Sequence, residues 1–332
     1  MTSVTGVPAA DTDPHQEPPL DGRAESTGRL GDKVFRGLAS GAGIFVILLV
    51  LLVGVFLVAQ AVPSLLNNEG NFLTSRKWIP SGEHPEFGIV DLLWATVVTS
   101  IIAMLVAIPV GVAVALFVTH YAPPWLSRPA AQLIDLLAAV PSIVYGLWGI
   151  ASFTPFVQPF QEFLASHLGT FIPLFEKRFT ASLFVVGLVL AIMVLPIVTA
   201  LSREVFAQTP RAHIEGALAL GATKWEMIRT AVIPYGKPGV ISASMLGLGR
   251  ALGETIAVSM ILSALAPGAD WFWSIFNGGS TFASLIANNA GEFDSPQKTG
   301  AYIAAGLVLF ILTFIVNAIA RVVIERRKAF TE

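Results

Sequence analysis

Six apolar runs, each long enough to cross a bilayer as a helix, constrain this chain more than any other feature. They are Ala39 to Val62, Leu93 to Thr119, Ala130 to Phe153, Thr180 to Leu201, Val240 to Leu265 and Ala301 to Val323. About 20 apolar residues suffice for a helix to span the hydrocarbon core. Inside lipid every backbone polar group must find its partner within the segment, and barrel strands are about half as long, so helices are expected and a β-barrel is not. Composition agrees, with 54% hydrophobic and 13% charged residues where soluble domains carry about 25% charged. The expected fold is an all-α integral membrane protein with six transmembrane helices.

Lys and Arg set the orientation, because cytoplasmic flanks carry the excess. Fourteen of the twenty fall on the side of the termini, five fall opposite (Arg76, Lys77, Lys177, Arg178 and Lys298), and Arg250 lies inside a span. Both termini are therefore expected in the cytoplasm. Residues 1–35, rich in Pro, Asp, Gly and Glu, form a disordered cytoplasmic tail in this reading, with no secretory signal. Residues 36–92 hold the first span and an external loop, 93–324 the main transmembrane domain with its longest cytoplasmic loop at 202–237, and 325–332 a second tail. In the last external segment, Trp271, Phe272, Trp273 and Phe276 suit a short helix at headgroup level.

Several chemistries are excluded. The chain has no cysteine, which removes disulfides, thiolate metal sites and Cys nucleophiles. A formal charge of -2 offers no general attraction for nucleic acid. No G-x-x-x-x-G-K-[ST] is present, so the chain is not expected to hydrolyse ATP, and H-E-x-x-H and G-x-S-x-G are missing too. The five histidines (His15, His84, His120, His167 and His213) are scattered rather than set at metal-ligand spacing. Gly247-Leu248-Gly249 lacks the third glycine and the preceding strand of a dinucleotide fingerprint, and reads as close helix packing.

The 202–237 loop contains Glu215-Gly216-Ala217-Leu218-Ala219-Leu220-Gly221 and then Ala231-Val232-Ile233-Pro234. Ala217, Leu220, Trp225 and Ile228 recur every three to five residues, which suggests a short helix with an apolar stripe. The stripe packs either on the cytoplasmic ends of its own spans or against another protein. The order Glu-x-Ala-x-x-x-Gly, nine residues, then an apolar triplet closed by Pro resembles the EAA loop of binding-protein-dependent ABC importer permeases. The resemblance implies a helix that docks in a groove of a separate ATPase, with Glu215, Gly216, Ala217 and Gly221 shaping it and Pro234 closing the loop. Gly216 stands where the family usually has Ala.

Ala139-Val140-Pro141-Ser142-Ile143-Val144-Tyr145-Gly146-Leu147-Trp148-Gly149 and Gly249-Arg250-Ala251-Leu252-Gly253-Glu254-Thr255-Ile256-Ala257-Val258 resemble segments of the phosphate importer permeases. The resemblance implies a type I ABC importer bundle and a non-enzymatic, channel-forming subunit in a bacterial plasma membrane. It further implies four kinds of companion: a second, related permease, two ATPase subunits, an external phosphate-binding protein and inorganic phosphate as cargo. No cofactor belongs to this chain; ATP and Mg are held by the partner ATPase.

A lone Arg at the centre of a spanning helix costs about 2.5–3.5 kcal/mol on insertion scales. Arg250 and Glu254, four apart, are expected to meet on one helix face. Arg250 then suits the role of neutralising the anion part-way across, its fork matching two oxygens, with Glu254 holding it between passages. A permanent ion pair locking the span is the plainer alternative. Ser142, Tyr145 and Thr255 offer hydroxyls to a passing oxyanion, although such groups usually bond their own backbone. Sulfate or molybdate carriage, and an ion-driven secondary transporter, stay open as rivals.

Overall fold

The computed structural model describes residues 29–176, 181–262 and 273–328, with side chains described up to Val322. The chain divides into two compact units, residues 1–53 and 54–332. The described part of the first is the front of α1 (Arg29–Leu66), where residues 31–53 are exposed throughout. Helix thus begins inside the expected tail, at Arg29, and α1 carries a first apolar span, Gly31–Leu66.

In the second unit, β1 (Trp78–Ile79) and β2 (Glu86–Phe87) form a small antiparallel pair with Trp78 opposite Phe87. Then come α2 (Val90–Leu116), α3 (Pro124–Ala138), α4 (Ser142–Trp148), α5 (Thr154–Leu168), α6 (Leu183–Ala207), α7 (Arg211–Ala219), α8 (Lys224–Met227), α9 (Ile233–Gly253), α10 (Ile256–Ile261), α11 (Phe282–Asn288) and α12 (Pro296–Lys328). Single π-helical turns at Phe117–Tyr121, Gly149–Phe153 and Ile228–Val232 extend the C-terminal ends of α2, α4 and α8.

Besides Gly31–Leu66, the stretches Val90–Tyr121, Leu183–Ala207 and Pro296–Val322 are long and apolar enough to cross a membrane. That makes four among the described residues, or five if the pair Pro124–Ala138 and Ser142–Leu168, bent by 89°, is one span. The third expected run is therefore no single helix. Pro141 lacks an N–H and disfavours helical geometry in the residue before it, and α3 stops at Ala138 while α4 starts afresh after Pro141. Pro109 and Pro196, by contrast, lie inside α2 and α6, which run on through them.

The fifth expected run is also divided. Glu254 adopts an extended conformation (φ -68°, ψ 127°) after α9 ends at Gly253. Its Oε1 then accepts the Ala257 N–H at 3.3 Å, starting α10 with a side chain in place of the missing backbone carbonyl. Residues 263–265 and Thr180 of the expected runs lie outside the described residues, as do Trp271 and Phe272. Trp273 to Phe276 is turn rather than helix, and Phe276 is fully buried.

The core forms where α2, α6 and α9 meet, with small residues at the closest approaches. An added Cβ at Gly187 of α6 would lie 2.6 Å from the Ile102 Cβ of α2, and one at Gly247 of α9 would lie 2.6 Å from Val194 Cγ1. Several hydroxyls in these helices serve their own backbone: Thr99 donates to Ala95 O at 2.7 Å, Thr199 to Leu195 O at 2.8 Å and Ser244 to Val240 O at 2.8 Å. α4 packs on α10 in the same manner, Gly146 and Gly149 facing Ala257 and Ile261.

Candidate functional site

One face of α9 carries Ser242, Leu246, Gly249 and Arg250, and with Ile197 of α6 and Asn317 of α12 it lines an open cavity of about 620 Å³. That volume suits a small ligand, and the lining is apolar apart from three polar side chains, as binding cavities commonly are. Arg250 is half-buried. Its Nε is shielded from solvent and has no hydrogen-bond partner among the described residues. That one donor is left unsatisfied, because burial without a partner forfeits its hydration and returns nothing.

The expected pair with Glu254 does not form. With α9 ending at Gly253, the i, i+4 geometry is lost, and the Glu254 carboxylate caps α10 instead. Thr255 Oγ1 donates to Gly253 O at 3.1 Å, across the same break. Tyr145 is buried and donates to Leu137 O at 3.1 Å, tying α4 back to α3 over the Pro141 bend. Ser142 is half-buried at the start of α4. The structure thus uses Glu254, Thr255 and Tyr145 to hold two helix breaks, and leaves Arg250 turned to the cavity.

A second region is built by α7 and α8. The expected single helix over this stretch is two, because Gly221 takes φ +84°, a left-handed conformation that favours glycine and ends α7. Thr223 then caps α8: its Oγ1 accepts from Glu226 N at 3.3 Å, while the Glu226 carboxylate accepts from Thr223 N at 2.8 Å and from its hydroxyl at 2.7 Å. Those bonds, the backbone one foremost, hold the Glu226 carboxyl below its ordinary pKa. Lys224 Nζ sits 4.8 Å from the Tyr121 ring centre, a cation–π contact between α8 and the end of α2.

Beneath this surface lies a small core of its own. Met227, Ile228 and Val232 are buried against Leu116 of α2 and Phe206 of α6, with Ile214 and Ala217 packed on them. The apolar stripe therefore splits: Ile228 and Ala217 face inward, whereas Leu220 and Trp225 are 91% and 55% exposed. Glu215, Gly216 and Gly221 are exposed, and Pro234 follows the π-helical turn Ile228–Val232, where helix runs straight on into α9. Sequence reasoning missed two features here. Asp135 of α3 meets Arg203 Nη2 of α6 at 3.5 Å, a pairing across sixty-eight positions that no local pattern signals. Asn317 could have been found as the single amide within the last apolar run.

Residues 107–329 match the family model described as binding-protein-dependent transport system inner membrane component. A protein of Mycobacterium tuberculosis named "Phosphate transport system permease protein PstC 2" is 51% identical over 319 residues, covering 94% of this chain and 97% of its own. One of Mesorhizobium japonicum, named "Phosphate transport system permease protein PstC", is 36% identical over 307 residues, covering 91% and 92%. Among solved structures, an inward-facing MetNI methionine ABC transporter chain aligns with a TM-score of 0.48 at 16% identity, over 72% of this chain and 94% of that one. With a family match across two-thirds of its length and relatives along nearly all of it, the chain belongs to the inner membrane components of binding-protein-dependent transport systems.

Proposed function

We propose that this chain is the permease subunit of an ABC importer for inorganic phosphate, resident in a bacterial plasma membrane. The observation that carries it is the identity of 51% along 94% of the chain to a relative named as a phosphate transport permease. The α7–α8 surface supports the mechanism. It is fixed to α2, α6 and α9 by its own buried core while Leu220 and Trp225 stay exposed, as a lever that docks in a foreign groove requires. Movement of that surface reaches three membrane helices at once.

In this reading the α9–α10 pair and the bent α3–α5 pair each make one crossing, so the chain crosses six times and both termini are cytoplasmic. The working complex holds a second related permease, two ATPase subunits that bind ATP and Mg, and an external phosphate-binding protein. This chain performs no covalent step and holds no cofactor. ATP binding draws the paired α7–α8 surfaces together and rocks the spans between two states. Arg250 supplies the positive charge that the anion meets on the way.

ATP-driven uptake by the purified complex tests this. Unlabelled phosphate is expected to compete with radiolabelled phosphate where equal sulfate does not. Leu220→Ser combined with Trp225→Ser is expected to lose the ATPase on purification. Sulfate competition as strong as phosphate, or an ATPase retained by the double variant, contradicts the substrate or the docking surface respectively.

A further inference from the structure

We propose that Ser242 and Asn317 complete, with Arg250, a membrane-embedded site for a protonated oxyanion, and that they favour phosphate over sulfate there. The proposal rests on the reading of Arg250 as the phosphate contact. All three side chains line the same cavity. Ser242 lies eight residues from Arg250 toward the α7–α8 end of α9, roughly 12 Å along the helix at 1.5 Å per residue. An anion leaving Arg250 in that direction passes Ser242 and Asn317.

Asn317 is out of character for its surroundings. Its neighbours on α12, Phe314, Ile315 and Ile319, are all exposed apolar residues, suited to lipid or to another helix. An amide there is unfavourable unless it meets water, a partner or a ligand. Asn317 is exposed and makes no side-chain hydrogen bond among the described residues. Its place in the wall of the Arg250 cavity supplies the reason for its presence.

The chemistry separates the two anions. Near neutral pH phosphate keeps at least one P–OH beside its charged oxygens, whereas sulfate has only acceptors. Arg250 can donate to either. Ser242 Oγ already donates to Pro238 O at 3.1 Å, which leaves its oxygen as an acceptor, and Asn317 offers both an NH2 donor and a carbonyl acceptor. Acceptors in the wall can each take a hydrogen bond from P–OH, whereas sulfate brings no donor to offer them, and a site built around such a bond favours the anion that can make it.

The complete complex in proteoliposomes, loaded internally with phosphate or with sulfate, reads this site from the release side. Internal phosphate is expected to slow uptake at about one-tenth the concentration that sulfate needs, the scale of one hydrogen bond to a charged group. Ser242→Ala with Asn317→Leu should bring the two anions to within about twofold. Asn317→Asp, which keeps the shape but sets a negative charge in the wall of the Arg250 cavity, should cut uptake about tenfold with partner subunits still co-purifying. Wild-type discrimination in the double variant, or undiminished uptake in Asn317→Asp, overturns the proposal. A purely structural Asn317 would lower the yield of assembled complex and leave discrimination intact, which overturns it also. If Arg250→Gln alone abolishes the internal-anion effect while the Asn317 variants behave as wild type, this proposal fails and the reading of Arg250 stands. Wild-type behaviour of Arg250→Gln removes the reading itself.

Discussion

Gly216 and Gly221 sit five residues apart in the α7–α8 segment and respond to alanine in opposite directions. Neither has a neighbour within 4 Å of an added Cβ, so backbone conformation alone decides. Gly216 is inside α7, where alanine is better than glycine by about 0.5–1 kcal/mol. Gly221 has φ +84°, where a Cβ costs about 1–2 kcal/mol. Amide exchange across 211–219 in the purified complex should slow severalfold in Gly216→Ala and quicken by about tenfold in Gly221→Ala; equal behaviour of the two would refute this. Gly221 and Pro234 were placed by the family resemblance, whereas the apolar stripe alone read one helix straight through Gly221, whose left-handed backbone ends α7. The partner of Arg250 was not legible. An i, i+4 spacing implies contact only while the helix continues, and Glu254 lies one residue beyond its end.

At the scale of elements, the apolar runs reported where helices lie but not where they break. Length and hydropathy measure transfer into lipid, whereas the bend at Pro141 and the gap at Glu254 arise from single residues that withdraw a hydrogen bond or offer another. Close packing stems from glycines whose neighbours lie far away in sequence. Gly187 faces the Ile102 Cβ, an atom that cannot move without its backbone. Gly187→Ala should therefore destabilise the α2–α6 contact by about 1–3 kcal/mol, seen as a lower thermal midpoint of the detergent-purified chain; an unchanged midpoint would count against the packing described. The Asp135–Arg203 pair is more than half exposed on its acid side, so Asp135→Asn should shift stability by no more than about 1 kcal/mol. For α8, Glu226 has a lowered pKa, so its capping contribution is fully present above the ordinary carboxylate value and lost as pH falls through the lowered one. Exchange protection at the start of α8 should drop on acidification, and Glu226→Gln should remove that dependence.

For the whole molecule, membrane residence and family were readable from runs and motifs, while the division of labour became visible only in the fold. Buried residues of α8 and its π-helical turn join the exposed α7–α8 surface to α2, α6 and α9, and α9 carries Arg250 on the cavity wall. One connection thus links the proposed docking surface to the helix that carries Arg250. Energy comes from outside the chain in this account. Vesicles containing the chain with the proposed second permease, with and without the proposed ATPase subunits, test that most directly. Phosphate should accumulate against its gradient only when the ATPase and ATP are both present; accumulation in vesicles that lack the ATPase would contradict it.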